Sequence, residues 1–222
     1  MDARQKDAFW DTIKIFNDER LLPYLMIIGS WSEYIYSYYF NTDFIPNLRT
    51  RDVDFLYRNI RQPKDKINIT AALVKNGYSY AENPTSGAAK FFKEDLLELE
   101  FLTRVVGSGA QHIYEIPSIG IKAEGMRIIN MLSDYPLVLN CRGFEILVSE
   151  PSAYVLQKLL TNPTRTPSYK KEKDIESVRA LLVHIKQSPR DVARIKIILD
   201  ALSLKEQKII KSVCEENYIE LL

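Results

Sequence analysis

Leu25-Met-Ile-Ile-Gly-Ser-Trp31, followed by Thr50-Arg-Asp-Val-Asp-Phe55, is the stretch that decides the fold. A short apolar run ends at Gly29-Ser30, a segment with helical spacing follows, and Asp52 arrives 22 residues after the serine. On a β-strand successive side chains point to opposite faces, so Asp52 and Asp54 share one face while Val53 and Phe55 share the other. Two neighbouring carboxylates repel unless a cation lies between them, and a hard divalent ion such as Mg²⁺ takes such oxygen ligands while keeping water and substrate phosphate in its other positions. A small turn opening a helix presents backbone N–H groups to a phosphate. A phosphate cradle beside metal-binding carboxylates is the equipment of phosphoryl or nucleotidyl transfer. Each element also has a plainer reading: Ser30 as a helix N-cap, and the two aspartates as the solvated face of an alternating strand.

Working outward, Leu25–Ile28 reads as a buried strand, Ser30–Phe40 as a helix, Asn41–Thr50 as a loop and Val53–Tyr57 as a second strand. Residues 4–20 carry Ala8, Phe9, Ile13 and Phe16 at helical spacing. Ile67–Asn76 reads as a helix stopped by Gly77. Short strands are expected at Tyr78–Ala81 and Ala89–Phe92, around the turn Asn83-Pro-Thr-Ser-Gly87. Leu97–Thr103 alternates Leu97, Glu98, Leu99, Glu100, Phe101 and forms a third important strand. Glu98 and Glu100 fall on one face of it, and either would complete a carboxylate cluster with Asp52 and Asp54 if the two strands are neighbours. A Gly107-Ser-Gly109 loop, a mixed segment over Ile119–Leu132 and a hairpin of Pro136–Asn140 with Gly143–Val148 follow.

The pattern changes at Pro151. Pro151–Leu160, Lys173–Ile185, Pro189–Leu202 and Leu204–Tyr218 all read as helices, and Pro151 suits a first helical position. The fold class expected is α/β (α+β): a mixed β-sheet core flanked by helices over residues 1–150, then a C-terminal helical domain over 151–222. Basic residues gather at this junction: Lys158, Arg165, Lys170, Lys171 and Lys173. Most read as solvated charge. Lys158 emerges from apolar neighbours Val155, Leu156, Leu159 and Leu160, which suits a lysine reaching toward phosphate. The tyrosine-rich helix, with Tyr34, Tyr36, Tyr38, Tyr39 and Phe40, reads as core packing.

Composition narrows the class. The 222 residues are 46% hydrophobic and 27% charged, ample for a packed core. A net charge of +1 supplies no global field for nucleic acid, so an RNA contact would need a local basic patch. Two cysteines, Cys141 and Cys214, argue against a disulfide framework or a Cys-rich zinc site and fit a reducing cytosol. His112 and His184 stand alone and read as surface or core residues. The polar N-terminus lacks a signal-peptide stretch, and no window reaches the roughly 18 apolar residues that span a bilayer. A cytoplasmic protein without a membrane partner is expected.

Gly29-Ser30, Thr50-Arg-Asp-Val-Asp-Phe55 and Leu99-Glu-Phe-Leu102 resemble the nucleotidyltransferase superfamily that shares the DNA polymerase beta-like core. Within it the chain is similar to prokaryotic nucleotidyltransferase-like proteins related to abortive-infection toxins, whose helical part carries a lysine and then a Lys-Asp-hydrophobic-Asp/Glu motif. Pro151-Ser-Ala-Tyr-Val-Leu-Gln-Lys-Leu-Leu160 and Lys173-Asp-Ile-Glu-Ser-Val178 match that pattern. The resemblance covers roughly residues 24–185 and implies a metal-dependent enzyme that moves an NMP from an NTP, ATP among them, to a hydroxyl acceptor. By position, Asp52 and Asp54 would bind Mg²⁺ in a two-metal site, and Glu100, with Glu98 in reserve, would be the third acid. Gly29 and Ser30 would hold the phosphates, Lys158 would neutralise the triphosphate, and Asp174 would support the site. The acceptor is a small molecule, an RNA end or a protein side chain. The alternative implied is a nucleotide-binding module of toxin-antitoxin type, without turnover and with a partner protein. The gap from Ser30 to Asp52 is longer than in compact members, and the third acid is a glutamate where aspartate is common.

Overall fold

The computed structural model describes residues 2–40, 44–46, 50–105, 112–127 and 129–222. Helix α1 (Ala3–Asp18) opens where Asp2 accepts a hydrogen bond from Gln5 N at 2.9 Å. Strand β1 (Leu25–Ile28), helix α2 (Trp31–Phe40) and strand β2 (Asp52–Tyr57) follow. Helix α3 (Ile69–Lys75) leads to β3 (Ser79–Glu82), β4 (Ala89–Lys93) and β5 (Leu97–Arg104). Then come β6 (Ile113–Ile116), β7 (Ile121–Met126), the short α4 (Asn130–Asp134), and the hairpin β8 (Pro136–Cys141) and β9 (Phe144–Ser149). From residue 151 the chain is helical: α5 (Pro151–Thr161), α6 (Ser168–Ile185), α7 (Pro189–Ala201) and α8 (Leu204–Glu216).

The strands form one mixed sheet in the order β3-β4-β5-β2-β1-β9-β8, with β7 joined to the far end of β5 and β6 joined to β7. β2 runs parallel to β5, while β1 with β2 and β4 with β5 are antiparallel. The result is the mixed α/β class that the alternating strands and the helical tail predict. One face of the central strands is apolar. Phe55 and Phe101 stack at 5.9 Å, and Phe16 of α1 meets Phe55 edge-on at 5.0 Å. Phe9, Ile13 and Phe16 are fully buried, so the helical stripe read from residues 4–20 is the face laid on the sheet. Each such phenylalanine contributes about 2 kcal/mol over leaving it exposed.

α5 is buried from Pro151 to Leu160 and packs against α6, α7 and α8. Tyr36 on α2 donates to the Ser149 carbonyl at 2.8 Å, Ser152 donates to the Asp191 carbonyl at 2.9 Å, and Arg194 grips Glu150 through two nitrogens. Trp31, Tyr34 and Tyr36 are buried, as core packing requires. His184 lies against the rings of Phe40 and Phe44.

The elements differ from expectation in two places. β6 lies in a four-residue stretch too short for an alternation to stand out. α6 begins at Ser168, ahead of the expected Lys173, because its first turn is exposed and carries no apolar periodicity to read. The loop expected at Asn41–Thr50 lies mostly outside the described residues, and the Gly107-Ser-Gly109 loop lies wholly outside them. Among the described residues no helix is long and apolar enough to cross a membrane.

Candidate active site

β1 ends in a turn at Gly29, where φ is +65°, a left-handed conformation that glycine adopts without a Cβ clash. Ser32 N donates to the Gly29 carbonyl and Glu33 N to the Ser30 carbonyl, both at 3.2 Å, which starts α2. Ser32 Oγ donates to the Ile27 carbonyl at 3.1 Å and ties the helix back to the strand. Gly29 and Ser30 therefore sit where a strand end meets a helix start, and Ile28 is in register with Asp54 of the adjacent strand.

Pairing of β2 with β5 sets Asp52 opposite Glu98 and Asp54 opposite Glu100. Four carboxylates thus share the sheet face opposite the phenylalanines. Asp52 is exposed and accepts from Thr50 Oγ1 at 3.0 Å, while its own N–H donates back to that hydroxyl at 3.1 Å. Asp54 is partly buried against Gly29. Burial, then the carboxylates of Glu100 and Asp52, push its pKa up to about 7, and Arg165 and Lys90 oppose that rise. The glutamates have a countercharge on the edge: Lys90 of β4, in register with Glu100, donates through Nζ to both Glu98 and Glu100.

The helical segment brings a second cluster. Lys158 of α5 is buried and donates to Asp174 Oδ1 at 2.7 Å, with Glu33 Oε1 at 3.8 Å and the Tyr154 ring beneath its ammonium. Tyr154 donates to Glu33 Oε1 at 2.9 Å. Arg165 Nε donates to the other oxygen of Asp174 at 2.9 Å, and its own side chain remains 44% exposed. Lys173, one residue before Asp174, is half-buried. Burial and then the nearby Lys158 lower its pKa, while Glu33, Asp174 and Asp52 oppose that shift. Arg165 of the helical segment is therefore felt at Asp54, and Asp52 of the sheet is felt at Lys173.

The structure brings Asp52, Asp54, Glu98 and Glu100 onto one face beside Gly29, and sets Lys158 and Asp174 together within the helical segment. Lys158 points into the protein onto Asp174 rather than out of it. Lys90, Glu33 and Tyr154 escaped sequence reading, and Arg165 and Lys173 passed as solvated charge. Glu33 carried one usable signal: it is the only charged residue of a helix otherwise made of aromatic residues, an isoleucine and two serines.

The carboxylate oxygens of Asp52 and Asp54 suit a hard divalent cation, and Asp54's pKa is raised first by burial and then by the neighbouring carboxylates of Glu100 and Asp52. Among the described residues no trio of His, Cys, Asp or Glu is arranged to hold an ion. The fit is a two-carboxylate one.

A nucleotidyltransferase family model matches residues 13–196, which include both sheet acids pairs and the buried Lys158–Asp174 contact. The chain belongs to this nucleotidyltransferase family. No curated protein matches it. Among solved structures it is similar to an antigenic nucleotidyltransferase-like protein from Paracoccidioides brasiliensis, with a TM-score of 0.53, 16% identity, and coverage of 86% of this chain and 79% of that one. A crystal structure of ANT(2″)-Ia in complex with adenylyl-2″-tobramycin matches with a TM-score of 0.49, 13% identity, and coverage of 94% and 97%. A solution structure of the same antibiotic-resistance factor gives 0.47, 14% identity, and coverage of 98% and 95%. At such identities the first likeness speaks for the fold.

Proposed function

We propose that this nucleotidyltransferase moves the NMP unit of an NTP to a hydroxyl acceptor with the help of Mg²⁺, residues 1–150 supplying the acids and residues 151–222 the cations. The observation that carries this reading is the register that sets Asp52 and Asp54 beside Gly29-Ser30 and next to Glu100. The same order of turn, Asp-x-Asp strand and later acid supports a DNA polymerase beta-like core.

Asp52 and Asp54 would hold the ion. When bound, it would neutralise phosphate oxygens and draw charge from the reacting phosphorus. The Gly29-Ser30 turn lies where backbone N–H groups would meet the phosphates. Arg165 and Lys173 face the acids from the helical side and would receive the charge of the departing polyphosphate. Asp174 holds Arg165 from behind and is itself held by Lys158. In the transfer, a bond forms between the acceptor oxygen and the α-phosphorus, the bond to the β-phosphate oxygen breaks, and pyrophosphate leaves. The acceptor proton passes to a carboxylate on the Glu100 side. Positioning and charge neutralisation supply most of the acceleration.

Thermal unfolding with each of the four NTPs, with and without Mg²⁺, tests this on wild type and on the Asp52→Asn/Asp54→Asn variant. A ligand at a hundredfold excess over its Kd stabilises by about 2.7 kcal/mol. A Mg²⁺-dependent shift for one NTP, absent in the variant and accompanied by pyrophosphate release, is expected. A shift without pyrophosphate release would mean a nucleotide-binding module, and no shift with any NTP would remove the nucleotide site.

A further inference from the structure

A buried chain of contacts joins the Gly29-Ser30 turn to Arg165, and Glu33 is its first member. Glu33 N donates to the Ser30 carbonyl at 3.2 Å, so its backbone belongs to the turn. Ser30-Trp-Ser-Glu33 has the spacing of a capping box, in which the glutamate side chain reaches back to the first residue's N–H. In this fold Oε1 of Glu33 faces the helical segment and accepts from Tyr154 of α5 at 2.9 Å. Lys158 Nζ, on the same helix, stands 3.8 Å from that oxygen and donates to Asp174 Oδ1 of α6 at 2.7 Å. Asp174 Oδ2 accepts from Arg165 Nε at 2.9 Å. Glu33, Tyr154, Lys158 and Asp174 are all buried, and Arg165 is the exposed end of the chain.

Asp174 meets two cations through its two oxygens, and one carboxylate does not balance both. Glu33 supplies the second negative charge, and at 1% exposure it has almost no water to screen it. A buried charged set holds one arrangement while its members stay paired. We propose that Glu33 is a positioning residue that fixes Arg165 relative to the Gly29-Ser30 turn, so that one side chain sets both phosphate contacts of the site. This rests on the transferase reading, in which the turn and Arg165 meet the polyphosphate. With Glu33 neutral, Lys158 is drawn onto Asp174 alone. The Asp174 carboxylate turns with it, and the oxygen that holds Arg165 moves away. Positioning and plain electrostatics then have opposite signs: removing a negative charge near the site would by itself strengthen anion binding, whereas losing the hold on Arg165 weakens it.

Glu33→Gln keeps an acceptor for Tyr154 and removes only the charge. Two measurements on the full chain test it. The first is the Arg165 Nε–H resonance in ¹⁵N NMR without nucleotide, identified by its absence in Arg165→Lys. The second is titration with inorganic triphosphate and Mg²⁺ in wild type, Glu33→Gln, Arg165→Ala and the double variant. The resonance is expected to shift or broaden in Glu33→Gln, and triphosphate binding to weaken roughly tenfold. Once Arg165 is alanine, Glu33→Gln is expected to cost nothing more, because it acts through that arginine. An unmoved resonance, binding as tight as or tighter than wild type, or losses that simply add in the double variant each overturn the proposal. Should Glu33→Gln fail to fold, Tyr154→Phe, which takes away the hydroxyl holding Glu33, replaces it with the same expectations; loss of fold in both makes the chain a structural one and equally overturns it. If wild type binds neither triphosphate nor any NTP, the transferase reading falls, and the Arg165 resonance alone decides whether Glu33 positions the arginine.

Discussion

A Cβ added to Gly29 would lie 2.2 Å from Oδ2 of Asp54. The glycine is therefore required twice, once by its φ of +65° and once by the carboxylate resting against it. The two requirements are separable. The left-handed conformation alone costs an alanine about 1–2 kcal/mol. The clash adds to this only while the Asp54 carboxylate is present. Gly29→Ala is expected to destabilise wild type by about 3 kcal/mol and an Asp54→Ala background by about half as much, a coupling that a double-mutant cycle of urea unfolding measures. Equal costs in the two backgrounds would mean that Asp54 moves aside freely and that the close approach constrains nothing.

Asp54 also sets a pH dependence. Its pKa of about 7 in the folded protein lies above the value of ~3.9 in an unfolded chain. Between those values the folded state binds more protons than the unfolded state, so stability falls as pH rises. The contribution is full below the unfolded value and is lost as pH passes through about 7. Asp54→Asn removes that slope. Relative to wild type, the variant should gain on the order of 2–4 kcal/mol in urea unfolding between about pH 4 and about pH 8. Divalent-ion affinity should run the other way in wild type, because a ligating carboxylate must lose its proton, weakening by nearly tenfold per unit below about pH 7. A flat stability difference across this range would show that Asp54 ionises as an ordinary surface acid.

How much of this was legible in the sequence follows from how local each signal is. β2 was readable because Asp52-Val-Asp-Phe55 sorts its faces by itself, and Glu98 to Phe101 does the same. Whether the two strands adjoin was left open by the sequence; the sheet sets them side by side in parallel, with Asp54 opposite Glu100. Lys90 was not readable. Its strand holds Ala89, Lys90, Phe91, Phe92 and Lys93, and only the register with β5 selects which lysine meets the glutamates. Lys158 was visible as a cation among leucines, but those leucines equally specify a buried helix, and its partner Glu33 is 125 residues earlier in the chain. Arg165 follows a proline-containing loop whose path no periodicity encodes. Contacts made by pattern within one element were accessible; contacts made by packing of distant elements were not.

The buried and the exposed cations of the helical segment should separate in experiment. Asp174 holds Lys158 at 2.7 Å and Arg165 at 2.9 Å, and it is itself 4% exposed. Among the described residues its loss leaves the buried Lys158 with one carboxylate, Glu33 at 3.8 Å, and the face of the Tyr154 ring to oppose its charge. Removing one member of a buried ion pair costs about 3–5 kcal/mol, whereas replacing the charged side chain by an apolar one of like size costs less when the remaining partners are satisfied. Asp174→Ala is therefore expected to destabilise strongly. Lys158→Met is expected to do so less, since Arg165 still binds Asp174 and Tyr154 still donates to Glu33. Arg165→Ala removes a half-exposed side chain, so its effect on stability should stay within about 1 kcal/mol. If Arg165 and Lys173 receive the polyphosphate, Arg165→Ala and Lys173→Ala should weaken NTP binding much more than nucleoside binding, and the deficit should shrink as salt screens the lost attraction. Isothermal titration with an NTP and its nucleoside, beside urea unfolding of the same four variants, reads both axes. Equal losses for nucleotide and nucleoside in Arg165→Ala and Lys173→Ala would assign those cations to folding and would leave the polyphosphate to the Gly29-Ser30 turn and the ion.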